Sequence, residues 1–396
     1  MALCLKTMRF LNKPFLMSME KSFNPSSIDV RCLFSQAALG VDAFLRAKEK
    51  TKSLFIQIDK KFKQKMVDFT SEDSKNMVFT EDLKNMIFLA ENDDFDIELV
   101  EKMTLKFNNQ NKELRFGTFV FGPVVMRMYH SLNRPFEALK VFKNPELDGF
   151  FDQIMTYQVL MDLLYCNKMY DEVKEVFEII KSKQVMGIKF HRNTVVLVSA
   201  ACFQKNTPED WTYLKNLWLE MNEASHTPMR KTITYSAALA IQQDDPHSAV
   251  ELLAKVPNQN YVTIRNLKIL ALDKLNRPED AILILKGSLE KDLPEHVNKA
   301  SFCDEVIEDM KSTIEKSGNR EMLNEFTKLE QQLIAQQRIT SQPLSKLIDS
   351  EIDYSLATKN QQLRNNVQRS DRLASSFRYD RPQRNQYSRR EGLSDA

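Results

Sequence analysis

A chain of 396 residues, 42% hydrophobic and 28% charged, is long enough for more than one ordinary core and lies in the globular range of composition. Its 8 glycines are too few for a protein of tight hairpins or phosphate-cradling loops, and favour helices joined by short polar turns. The net charge of +2 does not by itself point to a nucleic-acid partner, and the longest apolar runs, such as residues 195–203, fall well short of the roughly 20 residues that a membrane span needs.

Residues 1–35 differ in composition from the rest of the chain. Lys6, Arg9, Lys13, Lys21 and Arg31 stand against Glu20 and Asp29, interspersed with Leu3, Leu5, Phe10, Leu11, Phe15 and Leu16 and followed by Ser18, Ser22, Ser26 and Ser27. A basic, serine-containing, acid-poor stretch fits a mitochondrial transit peptide, with Arg31-Cys32-Leu33-Phe34-Ser35 resembling a matrix-protease cleavage region. An unstructured cytosolic N-terminus is the alternative. Residues 36–118 read as a helical region. Leu54, Ile58, Phe62, Met66 and Phe69 recur at helical spacing among Arg46, Lys48, Lys50, Lys52, Lys60, Lys61, Lys63 and Lys65, and further helices are expected at 81–90 and 96–107.

An internal repeat occupies residues 119–296. Leu132-Asn133-Arg134-Pro135-Phe136-Glu137-Ala138-Leu139 returns as Leu275-Asn276-Arg277-Pro278-Glu279-Asp280-Ala281-Ile282. Between them lie Thr207-Pro208-Glu209-Asp210-Trp211, Asp245-Pro246-His247-Ser248-Ala249 and Tyr170-Asp171-Glu172-Val173, where Tyr stands in place of Pro. The markers at 135, 170, 208, 246 and 278 are therefore 35, 38, 38 and 32 residues apart. Proline suits the first position of a helix, where its missing N–H has no partner to lose, and the acids after it suit the positive end of the helix dipole. Thr207 with Asp210 reads as a capping box. Each marker thus opens the second helix of a hairpin. Val173, Val176, Phe177 and Ile180 give the apolar stripe of one such helix, and Tyr157, Leu160, Met161 and Leu164 that of the first helix before it. A lone hairpin cannot bury its stripe, so the units must stack, with no sheet expected between 120 and 296.

Helices are also expected over 302–314 and 320–337, within a C-terminal helical stretch at 297–340. Residues 341–396 read as a disordered, arginine-rich tail. Cys4, Cys32, Cys166, Cys202 and Cys303 are odd in number and widely spaced, which argues against a disulfide framework and against a cysteine-rich zinc site. Gly117 and Gly122 have phosphate-loop spacing, but Pro123 stands where the lysine is needed. None of His130, His191, His226, His247 and His296 is paired with another at helical spacing. No catalytic residue, cofactor site or metal site is expected, nor a small-molecule substrate.

The best-preserved unit runs Thr156-Tyr157-Gln158 into its first helix, then Tyr170-Asp171-Glu172-Val173 with Phe177 a turn later, and ends Gly187-Ile188-Lys189. Thr234-Tyr235-Ser236 repeats the opening. This pattern resembles the pentatricopeptide repeat family. The resemblance implies an all-α, right-handed α-solenoid of helix-turn-helix repeats with helical flanks. It also implies a binding protein of the mitochondrial matrix. Its partners would be single-stranded mitochondrial RNA and RNA-processing factors, and its role the maturation of transcripts and so respiratory-chain function. In that family one base is selected by the residue after the Thr-Tyr opening together with a residue in the loop that ends the unit. The residues so implied are Gln158 with His191, Val196 with Lys231, and Ser236 with Asn260, with Arg265 opening the last unit.

Charge leaves a second class open. Residues 120–296 carry 21 Lys and Arg against 22 Asp and Glu, so strong phosphate binding requires concentrated charge. Lys181, Lys183, Lys189, His191 and Arg192 form one candidate cluster, Arg230 and Lys231 another, and the helix from Arg46 to Lys65 and the tail arginines add more. A tetratricopeptide-like scaffold for protein partners has nearly the same period.

Overall fold

The computed structural model describes residues 32–71, 74–114, 119–291 and 301–352, and the compact unit opens at Cys32. Residues 1–31, most of the stretch 1–35 read as a transit peptide, and residues 353–396, with the tail arginines, lie outside the described residues. The N-terminal region contributes α1 (Gln36–Leu39), α2 (Val41–Phe55), α3 (Asp59–Thr70), α4 (Thr80–Leu89) and α5 (Asp94–Leu114). The apolar series read as one helix from Leu54 to Phe69 is two. Residues 56–58 form a turn, and Leu54, Ile56 and Ile58 are exposed rather than packed.

The repeat region follows as α6 (Gly122–Leu132), α7 (Pro135–Phe142), α8 (Ile154–Cys166), α9 (Tyr170–Lys183), α10 (Arg192–Lys205), α11 (Pro208–Glu223), α12 (Arg230–Gln242), α13 (Pro246–Ala254), α14 (Val262–Lys274) and α15 (Pro278–Lys291). All five markers are the first residue of a second helix. Two of these helices carry side-chain caps. Thr207 Oγ1 accepts from the Asp210 amide at 3.2 Å, and Asp245 Oδ1 accepts from that of Ser248 at 3.3 Å; such a cap stabilises a helix by about 1 kcal/mol.

The repeat has a further backbone element. Two residues before every marker the backbone is left-handed: Asn133, Lys168, Asn206, Asp244 and Asn276 have φ between 51° and 60°. Asn and Asp tolerate this region because their short polar side chains bond locally, which is why Asn-Arg-Pro recurs.

The packing makes an all-α solenoid of two layers. The first helices stack in a row, α2 on α6, then α8, α10, α12, α14 and finally α16 (Asp304–Ser317), while each second helix wedges between two of them. Close approach in the row has a residue-level cause at Gly122. A methyl group there would meet Gln153 Oε1, Thr156 Oγ1 and the Phe150 carbonyl oxygen, the last at 3.0 Å. After α16 come α17 (Arg320–Ala335) and α18 (Leu344–Ile348). Among the described residues the sheet content is β1 (Phe302–Cys303) paired in parallel with β2 (Ile339–Thr340), both outside the repeats. Phe302 thus belongs to a strand rather than starting the expected helix. No helix of the described residues is long and apolar enough to cross a membrane.

Two expectations need correction. Residues 341–352 are not tail: Leu344 and Ile348 are buried, and Ile352 forms a parallel bridge with Phe34. Nor are all the cysteines separate. Cys32 and Cys166 are joined in a disulfide, their Cα atoms 4.9 Å apart across 134 residues of sequence. Sequence spacing gave no hint of this because the N-terminal segment returns onto α8. Cys202 and Cys303 are free and buried.

Candidate nucleic-acid interface

The residues singled out from the sequence lie at comparable ends of successive first helices. Gln158 is in the second turn of α8, Val196 in that of α10, Ser236 in that of α12 and Arg265 at the start of α14, while His191 and Asn260 sit just before α10 and α14. Most are not open to solvent. Gln158 is buried and its Oε1 accepts from Asn193 Nδ2 at 2.8 Å. Val196 is fully buried, and burial of His191 holds its imidazole below the usual pKa and so uncharged at neutral pH. Ser236 borders a cleft of about 180 Å³ with Trp211, Trp218 and Lys255. Asn260 is exposed, and its Oδ1 accepts from Arg265 Nη2 at 3.2 Å, although Arg265 itself is buried. This contact joins Asn260 to the first candidate of the next unit, not to Ser236, with which the sequence reading paired it.

Lys231 is engaged elsewhere, by a segment missed in the sequence. Its Nζ donates to the carbonyl oxygens of Ile348 and Ser350 at 2.6 and 2.8 Å and to Ser350 Oγ at 3.0 Å. Burial, with Arg230 adjacent, pushes its pKa down to about 8. The segment holding it is a strap that crosses the row of first helices. Its path begins where the Leu344 amide donates to Glu305 Oε1 on α16 at 2.6 Å. It continues as α18 against α14 and α12 and reaches α10, where Gln204 Nε2 donates to Asp349 Oδ2 at 2.8 Å. It ends beside α8: the Ile352 amide donates to the Leu33 carbonyl at 2.8 Å, and the Phe34 amide donates to Asp162 Oδ1 at 3.2 Å. The strap and the segment from Cys32 together cover what stacking leaves open, so α8, α10 and α12 are buried over most of their lengths. Only Leu344, Ile348 and Ile352, spaced by four, hinted at this in the sequence.

The candidate basic clusters are largely neutralised by their neighbours. Lys181 pairs with Glu178 and Glu220, Lys183 with Asp148 and Asp152 at 2.7 and 2.9 Å, and Lys189 with Glu220 at 3.1 Å. The Arg230 guanidinium stacks 3.9 Å from the Tyr261 ring centroid. At the N-terminal end Lys52 and Lys63 are paired with Glu91 and Asp96, but Arg46, Lys50, Lys60 and Lys61 project from α2 and α3 as exposed side chains.

No family profile matches the chain. It is similar to pentatricopeptide repeat-containing protein 2, mitochondrial, of Mus musculus, at 26% identity over 241 residues, 61% of this chain and 62% of that protein. The human protein is 27% identical over 231 residues, 58% of each chain, and that of Xenopus laevis 25% over 231 residues, 58% of this chain and 59% of its own. The chain spans about six tenths of the length of the curated relatives it matches. With Pro- or Tyr-led second helices at every expected position, the chain is similar in sequence to the proteins named pentatricopeptide repeat-containing protein 2, mitochondrial.

Proposed function

We propose that this protein binds single-stranded RNA in the mitochondrial matrix and takes part in transcript maturation, and so in respiratory-chain function, by binding rather than by bond-making chemistry. The observation that carries the reading is the register of the repeats. Gln158, Val196, Ser236 and Arg265 recur once per unit in the first two turns of successive first helices, with His191 and Asn260 just before α10 and α14 and Lys231 in the first turn of α12. One set of polar and small side chains per unit is what base-by-base recognition of an unstacked strand requires. Phosphate contacts would come from the exposed lysines and arginine of α2 and α3. Lys231 reaches a base only when the strap leaves it, so RNA binding on this reading is coupled to release of residues 341–352.

The test is Asn260→Asp, measured against RNAs varied at one base. Asn260 is exposed, so the substitution leaves packing intact. With Asn, Ser236 and Asn260 should favour adenine; with Asp, they should favour guanine, and the change should fall at a single position of the RNA. A uniform loss of affinity, or none, would show that this pair does not read a base.

One observation favours a second reading, a scaffold for protein partners. The row of first helices already holds a peptide, residues 341–352 of the chain itself, through a short helix and main-chain hydrogen bonds. A partner segment of the same kind could dock there in its place. Binding of such a peptide with no measurable affinity for RNA would favour this reading.

A further inference from the structure

The covalent link between Cys32 and Cys166 belongs to a larger cluster. Four side chains from three parts of the chain converge there: Cys32 from the segment before α1, His130 from α6, and Asp162 and Cys166 from successive turns of α8. One ligand atom from each lies within 4.8 Å of the other three. His130 Nε2 is 3.1 Å from Asp162 Oδ2, and Cys166 Sγ is 3.5 Å from that same oxygen. Asp162 is fully buried and Cys166 and His130 nearly so.

These distances can be compared with those a metal would impose. Tetrahedral zinc bonds of about 2.0–2.1 Å to nitrogen and oxygen and 2.3 Å to sulfur place N and O ligands about 3.4 Å apart, and S and O ligands about 3.6 Å apart. The observed 3.1 and 3.5 Å are within a few tenths of an ångström of that geometry. The carboxylate is also positioned from behind, since Asp162 Oδ1 accepts from the Phe34 amide at 3.2 Å, leaving Oδ2 for the cluster. The donors are selective. Two thiolates and an imidazole suit zinc and disfavour magnesium and calcium, which take oxygen ligands. Four protein ligands fill a tetrahedron and leave no position for substrate, which marks a structural site and not a catalytic one.

We propose that, when Cys32 and Cys166 are thiols, Cys32, His130, Asp162 and Cys166 bind one zinc ion, which fastens the N-terminal segment to α8. The metal-bound and disulfide forms exclude each other. A disulfide offers no thiolate, and reduction requires two electrons and two protons. With a phosphine as reductant, the phosphine becomes its oxide, with oxygen taken from water, and two thiols are released. Zinc then displaces the two thiol protons to solvent as its bonds to sulfur form. Because Leu33 and Ser35 hold Ile352 through their backbones, the ion would also anchor the end of the strap.

The test uses the full chain, reduced with a phosphine under inert gas and dialysed against a zinc buffer, with metal measured by elemental analysis. One zinc per chain is expected, and none in the chain left as the disulfide. Cobalt in place of zinc should give a thiolate-to-metal charge-transfer band and the visible bands of a tetrahedral ion. Cys32→Ser, which alters the terminal segment and leaves the helices untouched, should abolish the charge-transfer intensity of this site, as should Cys166→Ser. Asp162→Asn and His130→Ala should shift the visible bands and weaken cobalt binding. Cys4→Ser should change nothing. In the wild-type chain, amide exchange at Leu33, Phe34 and Ser35 should slow on adding zinc. The proposal is overturned if the reduced wild-type chain takes up no zinc while Cys32 and Cys166 react freely with an alkylating agent. It is equally overturned if bound cobalt keeps its spectrum in Cys32→Ser and Asp162→Asn, which would place the ion elsewhere.

Discussion

The two layers of the solenoid solve different problems with the same set of amino acids. Second helices such as α9 bury one stripe, Val173, Val176, Phe177 and Ile180, and turn charged residues outward. Those charges bridge adjacent units: Lys143 with Glu175 at 2.6 Å, Lys174 with buried Asp210, and Trp211 Nε1 donating to Asp245 Oδ2 at 3.2 Å. First helices such as α10 are buried all round, Thr194 through Phe203 without a break. A helix with one wet face announces its orientation through its period; a helix with none conceals what covers it. The second layer therefore defines the repeat, and the first layer conceals the strap.

The largest effect expected from this contrast compares one residue type in the two layers. Leu160 on α8 is fully buried, whereas Leu283 on α15 is 62% exposed. Leu160→Ala should destabilise the protein by about 2–5 kcal/mol, because the site cannot collapse between neighbouring helices. Leu283→Ala should stay within about 0.5 kcal/mol. Denaturant midpoints at constant m-value give both numbers, and equal losses would mean that the two layers do not differ as described.

The same contrast explains what the sequence made legible. Pro135, Pro208 and Pro278 with the acids after them, and Pro246 with the capping Asp245 before it, set helix starts by local chemistry, so the number, type and phase of the repeats could be read directly. Tyr170 could be placed because the apolar stripe after it has the same phase. Phe302 and the Leu54–Ile58 series misled because short apolar runs suit strand, turn and helix alike. The candidate readers could be placed at helix openings, but their burial could not be foreseen: Gln158 and Arg265 are polar residues whose partners, Asn193 and Asn260, are supplied by neighbouring elements. Cys32 and Cys166 meet only because both ends of the folded unit return to α8, a long-range fact with no local signature.

A second, smaller effect separates the strap from the layer beneath it. Ile348 is buried against the first helices, so Ile348→Ala should cost about 2–4 kcal/mol of docking free energy. The strap is short and lies over the first helices, so it is expected to open at a lower free energy than the solenoid needs to unfold. Amide exchange should therefore accelerate by an order of magnitude or more over residues 341–352 and remain nearly unchanged in α8 and α10. On the RNA reading, the same substitution should raise affinity for single-stranded RNA. If exchange accelerates equally throughout, the strap is an integral part of the core and not a cover over it.

The smallest effect concerns the charge trapped between strap and layer. Lys231 titrates at about 8 in the folded chain, against 10.5 for an exposed lysine, with desolvation as the main cause. The folded, docked state therefore holds its proton less tightly than the open state. The cost of burying the charge is fully present below pH 8 and is relieved as pH rises from 8 towards 10.5, so stability from this group increases across that window. Lys48 and Lys268 are also depressed by burial and give slopes of the same sign, which makes the wild type alone uninformative. The informative quantity is the difference between wild type and Lys231→Met. Methionine keeps most of the side-chain length, removes the charge and abandons the carbonyls of Ile348 and Ser350. At neutral pH the variant loses those bonds but also escapes the desolvation cost, so the net change should be small. Between pH 8 and 10 the wild type should gain on the variant steadily, as read from paired denaturation curves or from strap exchange at each pH. A difference that stays flat across this range would show that Lys231 is solvated and that the strap does not seal the first-helix layer at α12.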